Sequence, residues 1–289
     1  MTGTDRSAAL VAMSTAWCAY FRNNGLKSWD LPWDDAYRLT KTERRAIAKS
    51  VQQFQLGEGA EGRRLLARGQ AHATATGDRL FPEALTLFIR EEQRHSAQLL
   101  RFMRMQGIPA VEKHWVDSVF RWVRVLAGLE LELRVLVTAE AIAVPYYRAL
   151  GRATGSVLLR SISDRILQDE AEHLRFQAST FSRLEVSRSR FVRRLVWKAH
   201  RWFLVGTCCV VWIEHRSVFK SAGHSFRELV RGAMAEFSGL ENATAYRTFA
   251  PPLANSHRGD DPGRYDLVSG HLSSPATTAR AEVSASQLR

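Results

Sequence analysis

Four long segments of the chain carry apolar side chains at alternating steps of three and four residues, a spacing that predicts amphipathic helices. They run from about 42 to 76, 82 to 107, 115 to 150 and 156 to 184. Pro82 suits the first turn of the second helix, and Pro145 is expected to kink the third. No stretch alternates with a period of two over a useful length, so the pattern predicts an all-α protein without a sheet.

The sequence on either side of these segments predicts further helices and a tail. The predicted regions are an N-terminal helical extension (1–40), a four-helix core (41–186), additional basic and apolar helices (187–250) and a disordered tail (251–289). The extension is expected to contain one short amphipathic helix. The additional helices are predicted from about 188 to 221 and from about 226 to 249. The tail is rich in Ser, Gly, Pro and Arg and has lost the apolar periodicity that a packed helix needs.

Each of the four core helices interrupts its apolar stripe with acidic side chains. The second and the fourth contain a Glu-x-x-His step, whose two side chains share a helix face. The residues are Glu58 and Glu61 in the first helix, Glu92 and His95 in the second, Glu140 in the third, and Glu170 and His173 in the fourth. Carboxylates and imidazoles are costly to bury unless something pairs with them, and two cations at one level of the bundle would do so. The alternative is a solvated face, but such a face should not coincide with Leu and Phe positions in four helices.

One Glu from each of two helices, with Glu-x-x-His from each of the other two, is the ligand pattern of di-iron carboxylate bundles. Over about 42–184 the chain resembles the ferritin-like superfamily of di-iron proteins. The resemblance implies a ferritin-like four-helix bundle with extra N-terminal and C-terminal helices. It also implies two iron ions, held by Glu58, Glu92, His95, Glu140, Glu170 and His173. Manganese, or a mixed manganese and iron pair, suits the same ligand types.

The ligand of the first helix stays open at this point. Glu58 and Glu61 share a helix face, so their spacing does not decide between them. Glu58 fits the resemblance better. Glu61 is then expected beside the ligands or at the mouth of the pocket.

An acid precedes the Glu of each Glu-x-x-His motif. These acids are Glu91 and Asp169. A histidine that binds a metal needs an acceptor for its other ring N–H. In the proteins that the chain resembles, the acid of one motif supports the histidine of the opposite motif, which implies pairs of Asp169 with His95 and of Glu91 with His173. Solvation of both acids is the alternative.

The resemblance implies an enzyme, an oxidase or monooxygenase that uses dioxygen to oxidise a small organic substrate. Its apolar pocket is predicted to be lined by Phe88, Leu136, Ala143 and Tyr147. Leu99 stands where ribonucleotide reductase subunits carry a radical tyrosine, which disfavours a radical function. Ile166 stands where the arylamine N-oxygenases carry an extra histidine, which counts against that reaction. A ferroxidase that handles iron is the alternative function.

The net charge of +12, from 41 basic and 29 acidic residues, indicates anionic partners. Much of it is concentrated in the Arg-rich stretch 187–202, so a non-catalytic basic adaptor for nucleic acid or membrane is a rival hypothesis. No nucleic-acid-binding module is recognisable, and nucleic acid is not expected. The expected partners are substrate and dioxygen, an electron-donor protein, a second copy in a homodimer, and a membrane surface contacted peripherally.

Two further features bear on the location of the protein. The apolar run 203–213 is too short to cross a bilayer and is predicted to be a core helix, with contact to a membrane surface as the alternative. Three cysteines form neither a disulfide framework nor a zinc-binding spacing. Reduced thiols of this kind lead us to expect a cytoplasmic protein.

Overall fold

The computed structural model describes residues 3–60, 62–112, 128–184 and 189–246, and within these ranges the chain is helical and contains no strand. The helices are α1 (Gly3–Leu26), α2 (Lys41–Glu58), α3 (Arg63–Thr76), α4 (Phe81–Met105), α5 (Leu129–Leu150), α6 (Val157–Leu184), α7 (Arg190–Ser221) and α8 (Phe226–Tyr246). The prediction of an all-α protein is therefore confirmed for this part of the chain.

The first predicted helix, 42–76, is wrong as a single element, because the chain breaks between α2 and α3. α2 ends at Glu58, and Gly59 donates its backbone N–H to the Gln55 carbonyl. Gly62 then adopts a left-handed conformation with φ of +60°, which glycine alone reaches without strain. The break also brings this glycine so close to Ile89 of α4 that a Cβ atom would lie 2.4 Å from the Ile89 side chain.

Other predicted boundaries differ less. α1 has 24 residues and is longer than the short helix expected there. α5 begins at Leu129, after Gly128 as its N-cap, and the part of the predicted third helix from 115 to 127 lies outside the described residues. Glu61 and the predicted tail 251–289 also lie outside them. The division of the chain into regions stays a prediction.

The helices that carry the predicted ligands pack in pairs, α2 against α4 and α5 against α6, and the pairs meet through α4 and α6. α1 covers α4. α7 packs against α2 and α5, and α8 packs against α5 and α6. One apolar core contains buried side chains from all of these helices, including Phe21, Val51, Phe88, Phe176 and Phe237. None of the described helices is both long enough and apolar enough to cross a membrane.

Candidate metal centre

Four helices bring six acidic and imidazole side chains to one place in this core. Glu58 is the last residue of α2, Glu92 and His95 lie in the middle of α4, Glu140 lies in α5, and Glu170 and His173 lie in α6. All are buried except Glu92, whose side chain is 17% exposed. Burial of so many ionisable groups in an apolar core is unfavourable unless something compensates their charge.

The six residues form two overlapping groups that could each hold a metal ion. One comprises Glu58, Glu92, His95 and Glu170, and the other Glu92, Glu140, Glu170 and His173. Within each group, one candidate ligand atom per residue lies within 4.8 Å of all the others. Glu92 and Glu170 belong to both groups, so their carboxylates lie between the two histidines.

Each histidine directs its Nδ1 atom toward the carboxylates. His95 Nδ1 lies 3.5 Å from Glu58 Oε2 and 3.8 Å from Glu170 Oε1. His173 Nδ1 lies 3.5 Å from Glu140 Oε2 and 2.8 Å from Glu92 Oε1. The atoms of the last pair are close, but they do not form a hydrogen bond, and neither has another hydrogen-bond partner.

The atoms that face the centre of the cluster have no hydrogen-bond partner within the described ranges. They are Glu58 Oε2, Glu92 Oε1, His95 Nδ1, both carboxylate oxygens of Glu140, Glu170 Oε2 and His173 Nδ1. Buried polar atoms are normally paired, so a set of seven such atoms that converge needs an explanation. A mixed set of carboxylate oxygens and imidazole nitrogens fits divalent cations such as Fe²⁺ and Mn²⁺.

The electrostatics of the cluster favour bound positive charge. Burial and the neighbouring Glu58 carboxylate raise the pKa of Glu92 to about 8. Burial and the adjacent Glu140 raise the pKa of Glu170 well above its ordinary value. Burial by itself would also raise the pKa of Glu58, but the favourable interaction of its carboxylate with the His95 imidazole, whose Nδ1 lies 3.5 Å from Oε2, outweighs burial and lowers this pKa. Without a cation the cluster must therefore retain protons, which a metal would displace.

The outer nitrogen of each histidine is held by the acid that precedes the opposite motif's glutamate. His95 Nε2 lies 3.1 Å from Asp169 Oδ2, and His173 Nε2 lies 3.1 Å from Glu91 Oε2. The structure thus has the crossed arrangement that the family resemblance implies. When Nε2 carries the proton and donates it to an acid, the Nδ1 lone pair is left free toward the centre.

A side chain from α1, which no sequence pattern indicated, contacts both of these acids. Asn24 donates through Nδ2 to Glu91 Oε1 at 2.7 Å and to Asp169 Oδ1 at 2.9 Å. Arg165 Nη2 donates in turn to Asn24 Oδ1 at 2.8 Å and to Asp169 Oδ1 at 2.9 Å. In the sequence Asn24 precedes Gly25, and Asn-Gly usually marks a turn, so no pattern pointed to a buried role.

Trp29 closes the same side of the site. Its ring centroid lies 5.8 Å from that of His95, and the guanidinium groups of Arg94 and Arg165 stack over it at 5.2 and 5.5 Å. Such contacts are favourable when the cation is desolvated. Trp29 and Asn24 both belong to the predicted N-terminal extension, which therefore forms part of the wall of the site.

The predicted pocket residues have different surroundings. Tyr147 is buried and donates its hydroxyl to Glu58 Oε1 at 2.5 Å, a polar role that the prediction of an apolar wall missed. The ring of Phe88 packs against His173 with 4.7 Å between centroids. Ala143 is buried and Leu136 half-buried. A groove of about 530 Å³ between α1 and α4 reaches Glu91 but is lined by other side chains, among them Phe21 and Leu87. The pocket itself stays a prediction.

Comparison of the chain with family models, curated proteins and solved structures gives no match.

Proposed function

We propose that the chain is a ferritin-like di-iron oxidoreductase that uses dioxygen to oxidise a small organic substrate. The observation that carries the proposal is the pair of overlapping ligand groups, each with one histidine, that share Glu92 and Glu170. A carboxylate common to two groups suits two cations close together. A set with imidazole and carboxylate and no thiolate favours iron, with manganese as the rival.

When bound, a pair of iron ions would supply the electrons that dioxygen needs and the oxidising power for attack on an organic molecule. The side chains of the protein hold and orient this pair. Asp169 and Glu91 fix the two imidazoles with Nδ1 inward. Tyr147 holds one oxygen of Glu58 and leaves the other, Oε2, free toward the cluster. Rigid support of this kind positions ligands for catalysis.

The apolar surroundings contribute by excluding water. Phe88 and Phe176 are buried and pack on one another beside His173, with 5.7 Å between their ring centroids. A dry site strengthens the interaction of the carboxylates with a cation and protects a reactive site from side reactions. Oxidation of an organic molecule at this site would require such a dry environment.

Metal content tests the site. We expect close to two ions per chain, mostly iron, after purification without chelators from cells grown with iron. Glu92→Ala and Glu170→Ala should each lose at least one ion, because each removes a carboxylate shared by both groups. Glu83→Ala, which changes a part-exposed acid on the same helix α4, is the matched control and should keep the metal. Full metal content in the Glu92→Ala, Glu170→Ala double variant would overturn the site.

The reaction with oxygen tests the chemistry. The protein is reduced without air and mixed with oxygen, and its absorption is followed from milliseconds to seconds. We expect the reduced protein to consume oxygen. The rate of oxygen consumption should change when small apolar or aromatic molecules are added. Growth of a mineral core with many more than two ions per chain would instead support the ferroxidase alternative. If oxygen has no effect on the reduced protein, the metal site is structural. If the protein contains no metal and still binds an anionic partner normally, the hypothesis of a basic adaptor is favoured.

A further inference from the structure

Helix α7 exposes a row of large apolar side chains. Phe191, Leu195, Trp202 and Ile213 are 76%, 58%, 70% and 63% exposed. With 3.6 residues per turn these four positions project to one side of the helix, and we call them the outer stripe. Val192, Phe203 and Val210 are also exposed, along its edge. Scattered apolar residues are normal on a surface, but four large apolar side chains on one side of one helix indicate an interaction site.

The outer stripe is distinct from the side of α7 that enters the core. Trp197, Leu204, Cys208 and Val218 are buried on that inner side. The apolar run 203–213, predicted as a core helix, is thus divided, with Leu204 and Val211 inside and Val210 and Ile213 outside. The helix is apolar on two sides, and the core accounts for one of them.

A row of basic side chains runs beside the outer stripe. Arg190, Arg194, Lys198 and Arg201 follow one another at steps of four, four and three residues, and all are exposed. We call them the basic row. The one acid in α7, Glu214, accepts a hydrogen bond from Lys49 of α2. Arg201 is paired with Glu241 of α8, so Arg190, Arg194 and Lys198 supply most of the exposed charge of the basic row.

We propose that this side of α7 binds an anionic lipid surface, with the helix axis parallel to the membrane. The outer stripe runs from Phe191 to Ile213, a distance of about 33 Å at the helical rise, which is long enough to lie along the boundary between headgroups and acyl chains. The basic row would then lie beside lipid phosphates. Lys and Arg can extend their charged ends toward the headgroups while their methylene stems cover apolar surface.

The charge pattern favours a lipid surface over a second copy of the chain. Two copies joined through their outer stripes would bring two basic rows into one interface, and α7 offers no exposed acid to compensate them. Like charges that face each other across an interface oppose association. Anionic lipids compensate the basic row and accept the stripe at the same time, and the proposal does not depend on the chemistry of the metal site.

Vesicle binding by the full chain tests the proposal. The protein is mixed with vesicles of phosphatidylcholine alone or with phosphatidylglycerol, and the bound fraction is measured by flotation at low and high salt. We expect strong binding to the anionic vesicles only, reduced but not abolished by salt because the stripe contributes an apolar component. Equal binding to both kinds of vesicle, or none to either, would overturn the proposal.

Two variants separate the contributions, and both change exposed residues. Leu195→Glu with Trp202→Glu removes the outer stripe, and Arg190→Glu, Arg194→Glu and Lys198→Glu together reverse the basic row. Each should weaken binding to anionic vesicles by about tenfold or more. Leu26→Glu in α1, where Leu26 is 86% exposed, and Arg45→Glu in α2 are the matched controls and should bind normally. Helical content and metal content check the fold of every variant. Unchanged vesicle binding with an altered oligomeric state would assign the stripe to a second copy and overturn the proposal.

Discussion

At the scale of single residues, the candidate site depends on side chains that never reach its centre. His95 and His173 present Nδ1 inward only while Asp169 and Glu91 hold their Nε2 atoms. The amide of Asn24 donates a hydrogen bond to each of these acids, and Arg94 Nη2 lies 3.5 Å from an oxygen of each. The support of both imidazoles therefore includes a residue in another helix, α1.

Replacement of Asn24 tests this dependence. Asn24→Ala removes both hydrogen bonds to the acids, and we expect metal affinity to fall by about tenfold, at the lower end of the effect of losing support for metal ligands. Affinity is measured by competition with a chelator. Asn23→Ala, which changes the exposed neighbour, is the control. Asn24→Ala protein that binds metal as tightly as the wild type would show that the acids hold their positions unaided.

A second residue, His200 of α7, should make stability depend on pH. It is buried beside Arg134, and burial together with that guanidinium lowers the pKa of its imidazole to about 3. The unfolded chain, with an ordinary pKa near 6.5, therefore binds the proton more readily than the folded chain. The stability that neutral His200 contributes is complete above about pH 6.5 and is lost as the pH falls toward 3.

The measurement is the free energy of unfolding against pH, with chelator present throughout. As the pH falls from about 6.5 toward 3, the free energy of unfolding of the wild type should decrease more steeply than that of His200→Gln, which has no imidazole to titrate at this position. The difference in slope should reach up to about 1.4 kcal/mol per pH unit. His224→Gln, which changes a histidine in the turn after α7, is the control for the loss of an imidazole. Parallel curves for the wild type and His200→Gln would contradict the expected neutral imidazole.

At the scale of helices, the sequence predicts the acidic stripe positions well and the breaks between helices poorly. The spacing of Glu92 and His95, or of Glu170 and His173, is a local property of one helix. The end of α2 is not a local property, because the apolar periodicity that runs through Phe54 continues at Leu65, beyond the break. Nor does any local pattern lead to Asn24 or Trp29, whose roles arise from contacts with helices far along the chain.

The break between α2 and α3 gives a prediction of its own. Gly62→Ala would place a side chain in a left-handed conformation and against Ile89, and we expect a loss of about 1–3 kcal/mol in the free energy of unfolding. Gly57→Ala is the matched change inside α2, where nothing lies within 4 Å of the added Cβ atom. It should stabilise the protein by up to about 1 kcal/mol. Chemical denaturation measures the free energy of unfolding of both variants. Equal changes in that free energy would argue against the break between α2 and α3.

At the scale of the whole molecule, the candidate site lies where α2, α4, α5 and α6 meet. Cations bound there would hold four separate helices together and relieve the repulsion between buried carboxylates. Loss of the cations should therefore lower the stability of the entire fold.

Metal removal measures this contribution. A ligand that binds only the folded state stabilises it by mass action, about 2.7 kcal/mol at a concentration one hundred times its dissociation constant. For a protein of this size we expect the chelated form to melt about 5–10 °C below the form reloaded with iron. The Glu92→Ala, Glu170→Ala double variant should show little difference between the two conditions. An identical melting temperature for both forms of the wild type would indicate that the acids do not hold metal.

The hydrogen bonds of Asn24 also have a consequence for the order of events in folding. They join positions 67 and 145 residues apart, and contacts at such separations form only after long loops have closed. A chain emerging from the ribosome as far as α4 contains Glu58, Glu92 and His95, but not Asp169, which orients that imidazole. Cations that arrive early would meet an incomplete set of ligands. If the site holds metal, the complete set of ligands and of the acids that orient them exists only after α6 has been synthesised, so productive loading is expected only then.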